Sequence, residues 1–306
     1  MCPKIGLALG SGSARGWSHI GVLNALAELG IRPDVIAGCS IGALVGAAYA
    51  NNQEVELEAW VRSLSWKDIV GFLDLSVAPG GLIQGEKLLE FARKKSPDME
   101  IDTLPIPFGA VATELKTGRE VWIREGKVLD AVRASISLPG LFKPVKHHGE
   151  WLVDGGLVNP VPISLCRAMG AEVVIAVNLN SDLLGKRGQV AKAKDEVLEQ
   201  SGGDLWDRIS DSFKRKLNEG KKELLMQIMG EQHDSPGSYE VLSSSLNIMQ
   251  DRITRSRLAG EPPEILLEPK LAHIGLMDFD QADEAIDEGR ACVEKVKHHL
   301  VALLQD

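Results

Sequence analysis

The chain is short of the residues on which several function classes depend. Its 306 residues hold four cysteines, Cys2, Cys39, Cys166 and Cys292, with no C-x-x-C pair among them. That scatter supports neither a zinc site nor a disulfide framework, and a reducing, cytoplasmic setting is the default. There are two tyrosines, Tyr49 and Tyr239, followed four positions later by Gln53 and Ser243, so the Tyr-x-x-x-Lys of a short-chain reductase is missing. Basic residues are outnumbered by acidic ones, 34 to 43, for a net charge of -9. A surplus of that sign argues against nucleic-acid binding and against electrostatic attraction to anionic membranes, while leaving transient hydrophobic contact with a lipid surface open. No run approaches the ~20 apolar residues of a spanning helix. The opening Met1-Cys2-Pro3-Lys4 has no basic region followed by an apolar stretch and a cleavage site, so no signal peptide is expected. Apolar residues nevertheless make up 44%. That composition and length suffice for the core of one large α/β domain or two smaller ones.

The first third reads as β-α-β-α. Ile5–Leu9 forms a buried strand and Gly10–Gly16 a glycine- and serine-rich turn. Trp17–Leu29 follows as a helix closed by Gly30, Val35–Ala37 as a second strand, and Ala43–Ala50 as a second helix. Residues 54–95 read as mostly helical, with a turn at Pro79-Gly80-Gly81. The period then changes. Phe108–Thr113 and Glu120–Ile123 read as paired strands, Trp151–Val153 as a short strand before Asp154-Gly155-Gly156, and Glu172–Leu179 as a strand covered on both faces. Ile265–Leu267 and a helix over Gln281–Leu304 close the chain. Residues 181–260 differ, being charged and carrying Leu205, Trp206, Ile209, Phe213 and Leu217 at helical spacing. They are expected to be a helical insertion within a single domain spanning 1–306. The insertion either packs its apolar face on that domain or acts as a partly mobile lid or membrane-contacting element.

Gly38-Cys39-Ser40-Ile41-Gly42 is a G-x-S-x-G segment between a strand-like and a helix-like run, the signature of a nucleophile elbow. A serine on so sharp a turn has a strained backbone, and its neighbours two positions away crowd together, which calls for Gly38 and Gly42. At most two strands precede Ser40, which is early for an α/β-hydrolase. The upstream turn Gly10-Ser11-Gly12-Ser13-Ala14-Arg15-Gly16 fits a dinucleotide-binding loop by spacing. That reading expects a carboxylate at the end of strand 2, where the chain has the elbow instead. The same backbone N–H groups serve as an oxyanion hole, with Gly12 and Ser13 as the leading donors within the Gly12–Gly16 segment. Arg15 either is a structural or solvated charge or braces the loop and adds positive potential.

Serine needs a base. None of the seven histidines sits in a recognisable catalytic setting, although His273 stays open from sequence alone. Asp154 is the better candidate, at the end of a short strand and before two glycines. An Asp-Gly pair also makes an ordinary tight turn, and the two roles are compatible. Burial would raise its pKa toward that of a useful base.

With these residues in place the chain resembles the patatin-like phospholipases, in particular their compact bacterial members. The resemblance rests on four motifs in order. They are the turn with Arg15-Gly16 running into His19–Leu23; the elbow; Arg133-Ala134-Ser135-Ile136-Ser137-Leu138-Pro139-Gly140 with Phe142 and Pro144; and Asp154-Gly155-Gly156 with Asn159-Pro160-Val161-Pro162. It implies a three-layer α/β/α fold with a mostly parallel central sheet, and a Ser40–Asp154 dyad without histidine. No metal or cofactor is implied. The activity implied is that of a serine lipid acyl hydrolase of the phospholipase, lysophospholipase or esterase type, with a lipid or ester as partner and a homo-oligomer permitted. An acyltransferase using the same dyad is one alternative. A low-turnover binding protein is another, supported by Ser11 and Ser13 standing in a turn that is usually all glycine.

Overall fold

Strand β1 (Ile5–Leu9) is buried along its whole length, as expected of a strand covered on both sheet faces. The computed structural model describes residues 3–65, 68, 98–183 and 238–303. In it β1 lies at the centre of an eight-stranded sheet. On one side it pairs in parallel with β2 (Val35–Cys39), which pairs in parallel with β3 (Phe108–Glu114). On the other it pairs in parallel with β7 (Val173–Val177), then β8 (Ile265–Leu267). The antiparallel part is β4 (Glu120–Ile123) and β6 (Glu150–Asp154), both on β3, with β5 (Val145–His147) on β6.

Alternation along the strands divides the core into two. Leu7, Leu9, Ile36, Ile175 and Val177 face one layer, and Ala8, Val35, Ala37, Val174 and Ala176 face the other. The first layer is covered by α1 (Ser18–Glu28), α2 (Ile41–Ala50), α3 (Glu54–Ser63), α4 (Val128–Ser135) and α7 (Ala282–Leu303). The second is covered by α5 (Ile163–Ala168), with Leu258 of α6 (Ser238–Gly260) against it. This is the three-layer α/β/α arrangement expected. Helices α1 and α7 meet backbone to backbone: a Cβ on Gly21 would lie 1.9 Å from the Ile286 carbonyl oxygen, and one on Gly289 2.0 Å from that of Ser18.

Several sequence expectations need adjustment. The Gly10–Gly16 turn is partly regular, since Ser13–Trp17 is a 3-10 helix leading into α1. Helix α2 begins at Ile41, directly after the elbow serine. Strand β5 was not expected. Of the region 54–95, the described part holds α3, and the Pro79-Gly80-Gly81 turn lies outside the described residues. So do residues 184–237 of the expected 181–260 insertion, including its Leu205–Leu217 pattern, whereas its last part is the single helix α6.

The topology has one feature that builds the site. β4 occupies one edge of β3 across Ala110–Thr113. The opposite edge is shared end to end by two strands. β2 runs parallel to β3 and stops with Cys39 opposite Val111, while β6 runs antiparallel and stops with Asp154 opposite Ala112. The two C-terminal ends therefore face one another, one register step apart.

Candidate active site

Ser40 follows β2 immediately and carries φ 55°, ψ −123°. The left-handed region costs a non-glycine residue about 1–3 kcal/mol and persists only where the surroundings over-determine it. Here they do. A Cβ on Gly38 would sit 2.4 Å from the Ala43 Cα and 2.6 Å from the Gly42 carbonyl oxygen, so the turn closes only without one. Gly42 is needed for a different reason than crowding within the elbow: its Cβ would lie 2.2 Å from the Leu9 carbonyl oxygen at the end of β1. The Ser40 N–H is donated to Ser135 Oγ at 2.8 Å, and Ser135 Oγ–H is donated to the Val111 carbonyl at 2.6 Å. One buried hydroxyl thus plugs the gap between β2 and β6 and fixes the elbow.

Asp154 is held as tightly. Its N–H is donated to the Ser137 carbonyl at 2.9 Å, and its carbonyl accepts from Thr113 Oγ1 at 2.8 Å. Its Oδ1 accepts the Gly156 N–H at 2.7 Å and its Oδ2 accepts the Ser40 Oγ–H at 2.6 Å. Burial pushes its pKa up from 3.8 to about 6, opposed in part by the bonds from Ser40 and Gly156. Cys39, beside the serine, is driven the same way by burial, so its thiol stays protonated and inert.

Of the Gly12–Gly16 segment, Gly12 and Ser13 line the cavity above Ser40 and Asp154, and Ala14, Arg15 and Gly16 do not. The N–H groups of Gly12 and Ser13 have no acceptor among the described residues, while that of Ala14 goes to the Leu276 carbonyl. Ser13 has φ 53°, and its Oγ–H is donated to the Leu276 carbonyl at 2.6 Å. The Ser11 hydroxyl is donated to Gln250 Oε1 at 3.4 Å. Both serines therefore anchor the turn to later parts of the chain. Arg15 is fully buried, which rules out a solvated charge. Its Nε donates to the Gly12 carbonyl at 3.0 Å and its Nη2 to Asn247 Oδ1 at 3.4 Å, so it braces the turn from behind.

Among the described residues no histidine lines the cavity. His19 Nε2–H is donated to the Gly10 carbonyl, and burial lowers its pKa to about 4, leaving a neutral structural ring. His273 pairs with Glu284 instead. The cavity itself encloses about 1080 Å³, its open mouth included, and is mostly apolar. Trp17, Trp60 and Phe279 pack edge to face along one wall, Trp17 against each of the other two. Leu138, Leu141 and Phe142 come from the segment after α4, and Leu246, Asn247 and Gln250 from α6. The sequence alone points to no role for Ser135, Asn247 or Gln250. Ser135 lies inside the Arg133–Gly140 motif, and the other two lie in a segment without one.

The family model described as patatin-like phospholipase matches residues 7–167. An uncharacterized NTE family protein of Mycobacterium tuberculosis is 33% identical, with 94% of this chain and 90% of that protein covered. The human patatin-like phospholipase domain-containing protein 6 is 34% identical over 184 residues, which are 58% of this chain and 13% of that protein. Among solved structures, VipD from Legionella pneumophila aligns with 97% of this chain and 67% of its own, at 13% identity and a TM-score of 0.46.

Proposed function

Because this chain belongs to the patatin-like phospholipase family, we propose that it is a serine acyl hydrolase of lipid esters using Ser40 as nucleophile and Asp154 as base. The observation that carries the reading is the 2.6 Å hydrogen bond from Ser40 Oγ to Asp154 Oδ2 on the floor of an apolar cavity. Ser40 Oγ attacks the ester carbonyl carbon as its proton passes to Asp154. The N–H groups of Gly12 and Ser13 take the oxyanion, supported by the positive end of the helix behind them. Collapse of the tetrahedral intermediate expels the alcohol, which leaves with the proton from Asp154, and an acyl-serine remains. Water then loses a proton to Asp154 while bonding to the acyl carbon, and the fatty acid departs as Ser40 recovers its proton. A carboxylate with a pKa near 6 suits both directions of transfer at neutral pH. The aromatic and leucine walls fit an acyl chain rather than a polar substrate. Among the described residues no helix is long and apolar enough to cross a membrane.

The test is hydrolysis of a defined panel of phospholipids, lysophospholipids and simple esters, with product masses measured. Ser40→Ala and Asp154→Asn should each abolish turnover with circular dichroism unchanged. Full activity in either variant removes the dyad, and products carrying the acyl group on an added alcohol instead of water identify a transferase.

A further inference from the structure

Helix α6 buries a polar stripe. Ser243, Asn247, Gln250, Asp251 and Thr254 are each less than a tenth exposed and recur on one helical face. Asn247 and Gln250 reach the cavity, and hydrogen-bond polarity fixes which end of each carboxamide faces it. The Ser11 carbonyl can only accept, so the Asn180 atom 3.3 Å from it is the amide nitrogen. That nitrogen also donates to Gln250 at 3.2 Å, and the Ser11 hydroxyl does so at 3.4 Å, so the Gln250 atom on that side is its oxygen. Nε2 of Gln250 is therefore turned the other way and has no acceptor among the described residues, although the side chain is only 6% exposed. The same logic applies to Asn247, whose oxygen is claimed by the Arg15 guanidinium.

Gly156 lies between the free Gln250 amide nitrogen and Asp154. A methyl group placed on it would be 2.5 Å from Gln250 Nε2 and 3.0 Å from Asp154 Oδ1. The amide nitrogen and the carboxylate oxygen are therefore no more than 5.5 Å apart (2.5 + 3.0), and both side chains line the cavity with Ser40. Asp154 is the only titratable side chain lining the cavity among the described residues. With no cation there, a neutral donor suits a neutral oxygen rather than a phosphate.

We propose that Gln250 is a catalytic residue that holds the oxygen exchanging a proton with Asp154, an inference that rests on the Ser40–Asp154 reading. In acylation this is the ester's alcohol oxygen. It keeps the electron pair of the breaking C–O bond and takes the proton that Asp154 received from Ser40, while the Gln250 N–H donates to its other lone pair. In deacylation it is the water oxygen, which bonds to the acyl carbon as its proton moves to Asp154. Gln250 itself gains and loses nothing.

Gln250→Glu keeps an acceptor for Ser11 and Asn180 and removes the donor. Two rates separate the roles. Fluorophosphonate labelling of Ser40 expels fluoride, which needs no proton from Asp154, whereas turnover of a p-nitrophenyl ester requires water to be held and deprotonated. Gln250→Glu should label within about twofold of wild type. Its steady-state turnover should fall by about tenfold, the worth of one such hydrogen bond, and a p-nitrophenol burst should appear because deacylation has become limiting. Full turnover in Gln250→Glu with an active wild type overturns this inference alone. So does labelling that falls in step with turnover, because Gln250 would then support the whole site. A wild type that neither labels nor turns over overturns the dyad and this inference together.

Discussion

Replacing Asp154 by asparagine should destroy activity and stabilise the fold, and the gain should depend on pH. Asparagine keeps an oxygen for the Gly156 N–H, and its amide can donate to Ser40 Oγ, so the substitution changes charge more than packing. Asp154 has its pKa raised from 3.8 to about 6 by burial. A group raised in the folded state contributes stability that is complete below its unfolded pKa and is lost as pH rises through the folded value. Carrying the buried charge at pH 8 therefore costs about 3 kcal/mol relative to acid conditions. At pH 4.5 most of that cost is absent. The difference in stability between Asp154→Asn and wild type should widen by about 2 kcal/mol between pH 4.5 and pH 8. For a chain of this size that is a gap in melting temperature of about 4 °C. Thermal denaturation of both proteins at the two pH values measures it, and other titrating groups cancel in the comparison. A gap that is constant with pH, or that shrinks toward pH 8, would refute the account of a carboxylate kept basic by burial.

The same shift sets an acid limb in activity: kcat/KM should fall below about pH 6 as Asp154 takes up its proton, and a flat profile down to pH 5 would contradict it. Ser135→Ala leaves the Ser40 N–H and the Val111 carbonyl without their partner, so it should cost about 1–3 kcal/mol in urea unfolding and slow fluorophosphonate labelling. Gly42→Ala drives a methyl into the backbone of β1 and should cost more than 3 kcal/mol or prevent folding, read by the yield and melting of soluble protein. A tolerated Gly42→Ala would mean that the elbow is looser than its geometry implies.

Much of this was legible in the sequence because the relevant signals were local. β1, β4 and β8 have the bounds that apolar runs and turn residues indicated, and the elbow announced itself through two glycines with separate steric duties. β5 was missed because three residues carry too little alternation to stand out. Its hairpin turn hides a left-handed pair behind His148-Gly149, where an Asn-Gly would have been obvious. Gln250 and Asn247 were missed for a different reason. Helices are recognised by the period of their apolar residues, and α6 turns apolar Val241, Leu242, Ile248 and Met249 outward while burying polar ones. The period of its polar residues was present, but its meaning depended on the oxyanion turn that they meet.

The head-on meeting of β2 and β6 on one edge of β3 makes the distance between Ser40 and Asp154 a matter of strand register rather than chain length. A whole span of sequence, from 41 to 153, lies between them, and none of its loops measures out their separation. Extra residues placed at the solvent-facing turn Lys116-Thr117-Gly118 would lengthen the path without moving either side chain. A one-residue deletion inside Ala110–Ala112 would shift one against the other by a register step at once. The sheet behaves as a ruler with two pointers, and this chain can accept new loops freely wherever the ruler is left uncut.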